Sequence, residues 1–298
     1  VERVTLRVVN GLLDEQRKAL GATVPHAQPA QFVPSASYTR TATCEALDKA
    51  LRAAKRSGKR LVIVSGPSGS SKTFAARHAL GRLGFDQYTV ECSGATTTED
   101  LIARPWTNSE GRLVWVEQAM TRAARLGGAV LLDEFDLVDA RVLGRLHSIL
   151  DCDPRLRLPS GEEFQAHDDF VVVACCNGLR RDTGGNYSVQ SISSALLGRA
   201  VFVSSDYMTQ SDEVRLYTAQ GYSAARSEQV YKQLSGLREL FKRGQLSIPP
   251  SPRLGLAVLG AMAEGCDERE AWTIALLAGC DEKTRKSCEA ALAAAVIA

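Results

Sequence analysis

The stretch VSGPSGSSKT, from Val64 to Thr73, follows the spacing G-x-x-x-x-G-K-[ST], with Gly66 at its start and Lys72-Thr73 at its end. Ser71 stands where the last glycine of that pattern would be. Such a loop holds phosphate because backbone N–H groups at a helix start converge on anionic oxygens, and small residues let the backbone approach closely. The candidate nucleotide-binding residues are therefore Gly66, Pro67, Ser68, Gly69, Ser70, Ser71, Lys72, Thr73 and Phe74. Lys72 would bring positive charge to the outer phosphates, and Thr73 a hydroxyl to Mg²⁺. Ser71 lies where the chain is expected to be entering the helix. A helical backbone makes no demand for glycine, so a small serine is expected to be tolerated there.

Five further residues, in four stretches, are of types suited to the same chemistry. AVLLDEFD delivers Asp133 and Glu134 at the end of an apolar run. Open parallel sheets bind ligands at the carboxyl ends of their strands. Asp133 is suited to holding Mg²⁺ through water, and Glu134 to orienting and deprotonating an attacking water. Asn177 directly follows FVVVACC, where an amide could help position that water; alone, such an asparagine is more often a turn residue. Arg199, in SSALLGRAVFV, is a lone arginine before a strand, a pattern commonly met as a surface charge. Arg253, in SPRLGL, opens a helix, where a cation opposes the helix dipole; that mild cost hints at an anionic partner.

These residues need elements to bring them together. RLVIVSG, QYTVECSG, AVLLDEFD, FVVVACCN and AVFVSSDY are apolar runs that are continuous rather than alternating, as in strands buried on both faces. Helical stretches lie between most of them, which predicts an α/β fold with a parallel sheet flanked by helices. A helix fits ATCEALDKALRAAKRSG, with Gly58 as its stop. Two hairpins are expected, turning at Asn108 to Gly111 and at Pro159-Ser160-Gly161. Beyond Asp206 every candidate element is helical. The expected division is 1–40 as an N-terminal segment and proline-bearing linker, 41–206 as the α/β domain with two hairpin inserts, and 207–298 as a small helical domain. Within the first part, ERVTLRVVNGLLDEQRKAL is compatible with a short strand and a helix.

Composition restricts the alternatives. Among 298 residues, 36 Lys plus Arg against 34 Asp plus Glu give a net charge of +2, with no polyelectrolyte signature for nucleic acid. No apolar run approaches the length of a membrane span, and the first residues lack the pattern of a secretory leader. A chain starting at Val1 is expected to have lost its initiator methionine. The eight cysteines form no C-x-x-C pair, and the expectation is reduced thiols in a cytoplasmic protein.

The order of these pieces, phosphate loop, Asp-Glu strand, strand-ending Asn, arginine before the last strand and Ser-Pro-Arg in a helical region, resembles an AAA+ ATPase. The likeness is closer to the branch of MoxR and the cobaltochelatase small subunit, including phage-encoded relatives. It is carried by EDLIARPWTNSEGRLVWVEQAMTRAARLGGAVLLDEFDLVDARVLGRLHSILD and by NGLRRDTGGNYSVQSISSALLGRAVFVSSDY, within roughly Ala46 to Gly260. MoxR-like loops often carry alanine where this chain has Ser71. The resemblance implies a P-loop NTPase core with a helical lid, and ATP and Mg²⁺ as cofactors. It places Lys72 and Thr73 as the nucleotide-binding pair, and Asp133 and Glu134 as the Mg²⁺ and water-activating pair. Asn177 falls at sensor 1, Arg199 at the arginine finger and Arg253 at sensor 2. Ala200 departs from the phenylalanine usual after the finger, and Arg180 and Arg181 are rival basic residues nearby.

The implied function is ATP hydrolysis by a homo-oligomeric ring, a hexamer by likeness, that remodels a protein client, with a von Willebrand factor A-domain protein as a common partner. Two alternatives are a nucleic-acid-dependent motor, for which Arg52–Arg60, Arg122–Arg125 and Arg238–Arg243 are basic clusters, and a nucleotide-gated scaffold that hydrolyses poorly. The hairpin aromatics Trp106, Trp115 and Phe164 are candidates for partner contact or for pinning the hairpins to the body.

Overall fold

The computed structural model describes residues 25–30, 32, 40–177 and 192–297. The strand and helix expected before residue 20, and the segment with Arg180, Arg181 and Gly-Gly-Asn-Tyr, lie outside the described residues.

Helix α1 (Ala42–Ser57) begins at Thr41, whose side chain accepts from the Cys44 N–H, and stops at Gly58 in the left-handed region at φ 71°. The first contact satisfies a helical donor that has no partner within the helix, and the glycine takes the turn without a Cβ clash. Cys44, Leu47, Leu51 and Ala54 recur at helical spacing and are all buried.

The α/β part continues as β1 (Leu61–Ser65), α2 (Lys72–Arg82), β2 (Gln87–Glu91), α3 (Thr98–Leu101), β3 (Ala103–Thr107), β4 (Leu113–Glu117), α4 (Ala119–Leu126) and β5 (Ala129–Asp133). After it come α5 (Ala140–Arg145), β6 (Arg155–Arg157), β7 (Glu163–Gln165), β8 (Val171–Cys176), α6 (Ser194–Gly198) and β9 (Ala200–Ser204). Five strands form one sheet in the order β2-β5-β8-β1-β9, parallel throughout. The continuous apolar runs have a simple cause. Leu61, Ile63, Val172 and Ala174 enter a core on one face, while Val62, Val64, Val173 and Cys175 enter a second core on the other, with α1 and α2. Strand residues alternate faces, so a sheet covered on both sides needs apolar side chains at every position.

β3 pairs with β4, and β6 with β7, as two antiparallel hairpins outside the main sheet. Beyond β9 the described elements are helical: α7 (Gln210–Ala219), α8 (Ala224–Lys242), α9 (Pro252–Ala263), α10 (Glu268–Ala275) and α11 (Glu282–Ile297). They enclose their own core, with Tyr217, Leu234, Leu237, Val258, Trp272 and Cys288 buried together. Among the described residues, no helix is long and apolar enough to cross a membrane.

Candidate functional site

In the sheet, β5, β8 and β1 lie side by side. Their carboxyl ends deliver Asp133, Asn177 and Gly66 to one edge, where the chain crosses from β1 over β8 and β5 to reach β2. Thr73 Oγ1 donates to Asp133 Oδ1 and Oδ2 at 2.8 Å each. Lys72 Nζ donates to Asn177 Oδ1 at 3.0 Å, to Gly66 O at 3.0 Å and to Pro67 O at 2.8 Å. Burial pushes the Lys72 ammonium below the ordinary lysine range, with the nearby Asp136 and Asp133 carboxylates acting in the opposite direction. A cleft opens on this edge. Ser68, Gly69, Ser71, Lys72, Thr73, Phe74, Asp133, Glu134 and Asn177 line it, together with Pro252 and Arg253 from α9.

Among the expected site residues, Gly66, Pro67, Ser70 and Arg199 do not line the cleft. Ser70 is buried, and its hydroxyl and carbonyl both contact the Ser205 hydroxyl. A Cβ on Gly66 would lie 2.0 Å from Ser205 O, so only glycine fits there. Arg199 bonds Asp151 Oδ2 through Nη2 at 2.7 Å and Nε at 3.2 Å, and Ala195 O through Nη1 at 2.9 Å. Ala200, the departure from the familiar pattern, is buried as the first residue of β9.

The expectation of a helical backbone at Ser71 is corrected by the structure. Ser71 is the N-cap of α2, in the left-handed region at φ 63°, ψ 25°. An N-cap residue lies outside the helical dihedrals although its carbonyl accepts the first helical bond, here from the Ala75 N–H at 2.9 Å. The serine side chain makes no capping bond, so it carries the conformational cost, about 1–2 kcal/mol for a residue with a Cβ, without that return. Ser71→Gly is therefore expected to raise stability by about 0.5–1 kcal/mol, net of the entropy that glycine adds to the unfolded chain. Ser71→Val should lower it. Chemical denaturation midpoints check both. Glu134 also sits at positive φ, 52°, with its N–H donating to Asp133 Oδ1 at 3.1 Å. Two non-glycine residues held in this region on one cleft fit the tendency of backbone strain to collect at functional sites.

Sequence reasoning missed three residues that shape the cleft. Ser205 joins Ser70 to Thr43. Tyr207 Oη donates to Ser68 O at 3.3 Å. Ser251 closes over Gly69, at which a Cβ would meet Ser251 Cβ at 2.2 Å. None sits at a spacing that points to the loop.

The basic clusters are largely engaged within the chain. Lys55 pairs with Asp169, Lys59 and Arg60 donate to backbone carbonyls, and Arg125 pairs with Glu117 and Glu162. Trp115 and Phe164 pack against the core of the α/β part, and the Arg125 guanidinium stacks over Phe164 at 4.1 Å. Trp106 is 45% exposed, and Leu113 opposite its hairpin neighbour Thr107 is 67% exposed. Burial pushes the Cys92 and Cys175 thiols up to about 12, so both stay protonated as small apolar groups.

Comparison with known proteins bears on this edge of the sheet. Residues 61–200 match the AAA domain of the dynein-related subfamily. The denitrification regulatory protein NirQ of Pseudomonas aeruginosa is 28% identical over 218 residues, 72% of this chain and 81% of its own length. NirQ of Stutzerimonas stutzeri is 29% identical over 214 residues, 70% of this chain and 74% of its own length. Protein NorQ of Paracoccus denitrificans is 40% identical over 121 residues, a shorter match covering 39% of this chain and 43% of NorQ.

Proposed function

Because the chain belongs to the MoxR branch of the AAA+ ATPases, a family of ATP-hydrolysing enzymes that act on partner proteins, we propose that it binds ATP with Mg²⁺ in the cleft and uses hydrolysis to remodel a protein client. The observation that carries this reading is the contact of Thr73 Oγ1 with both oxygens of Asp133. It joins the loop after β1 to the end of β5, two strands away.

Thr73 and Asp133 would hold Mg²⁺: a hydroxyl and a carboxylate are hard oxygen donors, and Mg²⁺ takes few protein ligands and completes its shell with phosphate and water. When bound, the ion offsets charge on the outer phosphates. The N–H groups of the loop cradle the phosphate chain. Lys72 Nζ exchanges the carbonyls of Gly66 and Pro67 and the amide of Asn177 for phosphate oxygens. Asn177, thereby released, orients the attacking water with Glu134, which takes the proton. Arg253 meets the phosphates from α9. Arg199, outside its own cleft, reaches the cleft of a neighbouring subunit. In this reading residues 41–206 form the nucleotide-binding domain, 207–298 the lid and 1–40 an N-terminal segment. The assembly is a homo-oligomeric ring, hexameric by family likeness, in the cytoplasm, with a protein client or a von Willebrand factor A-domain partner.

A site completed by a neighbour has a simple kinetic consequence. ATP turnover per chain is expected to rise with protein concentration until rings are complete, and then to level off. A rate per chain that is flat from dilute monomer upward would overturn the ring reading.

A further inference from the structure

The C-terminal helices hold an ion pair that the chemistry above does not use. Glu213 on α7 is 0% exposed and Arg238 on α8 is 5% exposed. Arg238 Nη2 donates to Glu213 Oε2 at 2.8 Å and to Oε1 at 3.0 Å, and Tyr217 Oη donates to the same Oε1 at 2.5 Å. A buried pair of this kind adds little net stability over apolar residues of the same volume. Its other contacts indicate a use. Arg238 Nε donates to Pro250 O at 3.0 Å, and Tyr217 Oη contacts Pro252 O at 3.4 Å. Those two carbonyls flank Ser251, and Arg253 follows directly. Gly255 makes room for this approach, because a Cβ there would lie 2.1 Å from Tyr217 Oη. Two helices, α7 and α8, therefore grip the short corner at the start of α9 that presents Ser251 to the loop and Arg253 to the cleft.

The same guanidinium is also linked to the phosphate loop, through Tyr207. It lies 4.5 Å from the centroid of the Tyr207 ring, and Tyr207 Oη donates to Ser68 O. Arg238 thus touches the corner that carries Arg253 on one side and, through one aromatic ring, the middle of the loop on the other.

We propose that Arg238 and Tyr207 are positioning residues that tie Arg253 to the phosphate loop, so that the loop and the C-terminal helices engage the triphosphate as one unit. The proposal rests on the ATP reading of the cleft. Its physical basis is orientation. A loop and an arginine already fixed relative to each other lose less freedom when both close on one ligand, and two elements that bias a common arrangement are coupled in free energy.

The test is a double-mutant cycle on the full chain, read as equilibrium affinity for a fluorescent, non-hydrolysable ATP analogue with Mg²⁺. Tyr207→Leu removes the hydroxyl and the ring face, and should weaken binding about tenfold, the scale of one hydrogen bond plus one cation–π contact. Tyr207→Phe keeps the ring and should weaken it about threefold. In an Arg253→Ala background both losses should shrink to less than about twofold, because the residue being positioned is gone. A purely structural role for Tyr207 would give the same fold-loss with and without Arg253, and that result overturns the proposal. So does undiminished affinity in Tyr207→Leu. Should Tyr207→Leu fail to fold, Tyr207→Phe carries the cycle alone. A parent chain that takes up no analogue would overturn the ATP reading beneath it, which is a different result from additive losses in a chain that binds.

Discussion

Arg199→Ala is expected to lower ATP turnover by about 10³–10⁵ in an assembled ring while leaving ATP affinity within about twofold of the parent. An arginine supplied by a neighbour stabilises charge that develops only as the phosphoryl group transfers, so its loss falls on rate rather than on binding. The local geometry suits such a role. Arg199 is outside its own cleft and is tied to Asp151, with 32% and 45% of the two side chains exposed. An exposed pair of this kind holds its partners weakly, and a buried polyphosphate can outcompete the carboxylate. Mixing supplies the control. Arg199→Ala chains mixed with Lys72→Ala chains form interfaces in which one subunit brings the intact loop and the other the intact arginine, so part of the activity should return. Full turnover by Arg199→Ala alone, in a ring shown to be intact, would remove Arg199 from this role.

Glu134→Gln should bind ATP as the parent does and lose turnover by about 10²–10⁴, the scale of a positioned general base. The substitution is nearly isosteric. It leaves the positive φ of 52° in place and removes only the capacity to accept a proton. Since Glu134 is exposed, stability should stay within about 0.5 kcal/mol of the parent. Single-turnover kinetics with labelled ATP separate binding from chemistry. A Glu134→Gln chain held with ATP should also retain the client in a pull-down, because the step that releases it is blocked. Turnover that survives the substitution would assign the base elsewhere.

Much of this architecture was legible because its signals are local. The five strands of the sheet are continuous apolar runs, and both hairpins carry a glycine-bearing turn between extended residues, at Gly111 and Gly161. The cleft was legible in part because Asp133, Glu134 and Asn177 stand at the ends of such runs, while Lys72 and Thr73 open the helix after a glycine-bearing loop of recognisable spacing. Ser71 departs from the helical expectation because it is the N-cap, the residue immediately before the first helical one, and its backbone there is left-handed rather than helical. Ser205, Tyr207, Arg238 and Ser251 left no trace in spacing. They meet the loop only after β9 and the C-terminal helices have packed, and no periodicity of 2 or 3.6 encodes a contact between residues 68 and 207 or between 69 and 251.

The central claim is that the ends of β1, β5 and β8 converge to hold a triphosphate with its metal. Equilibrium binding of ATP, titrated with and without Mg²⁺ into the parent and Lys72→Ala chains, tests it most directly. The account predicts saturable uptake of one nucleotide per chain, tightened by Mg²⁺ and lost in Lys72→Ala. A parent chain that takes up neither ATP nor ADP with Mg²⁺ would contradict it.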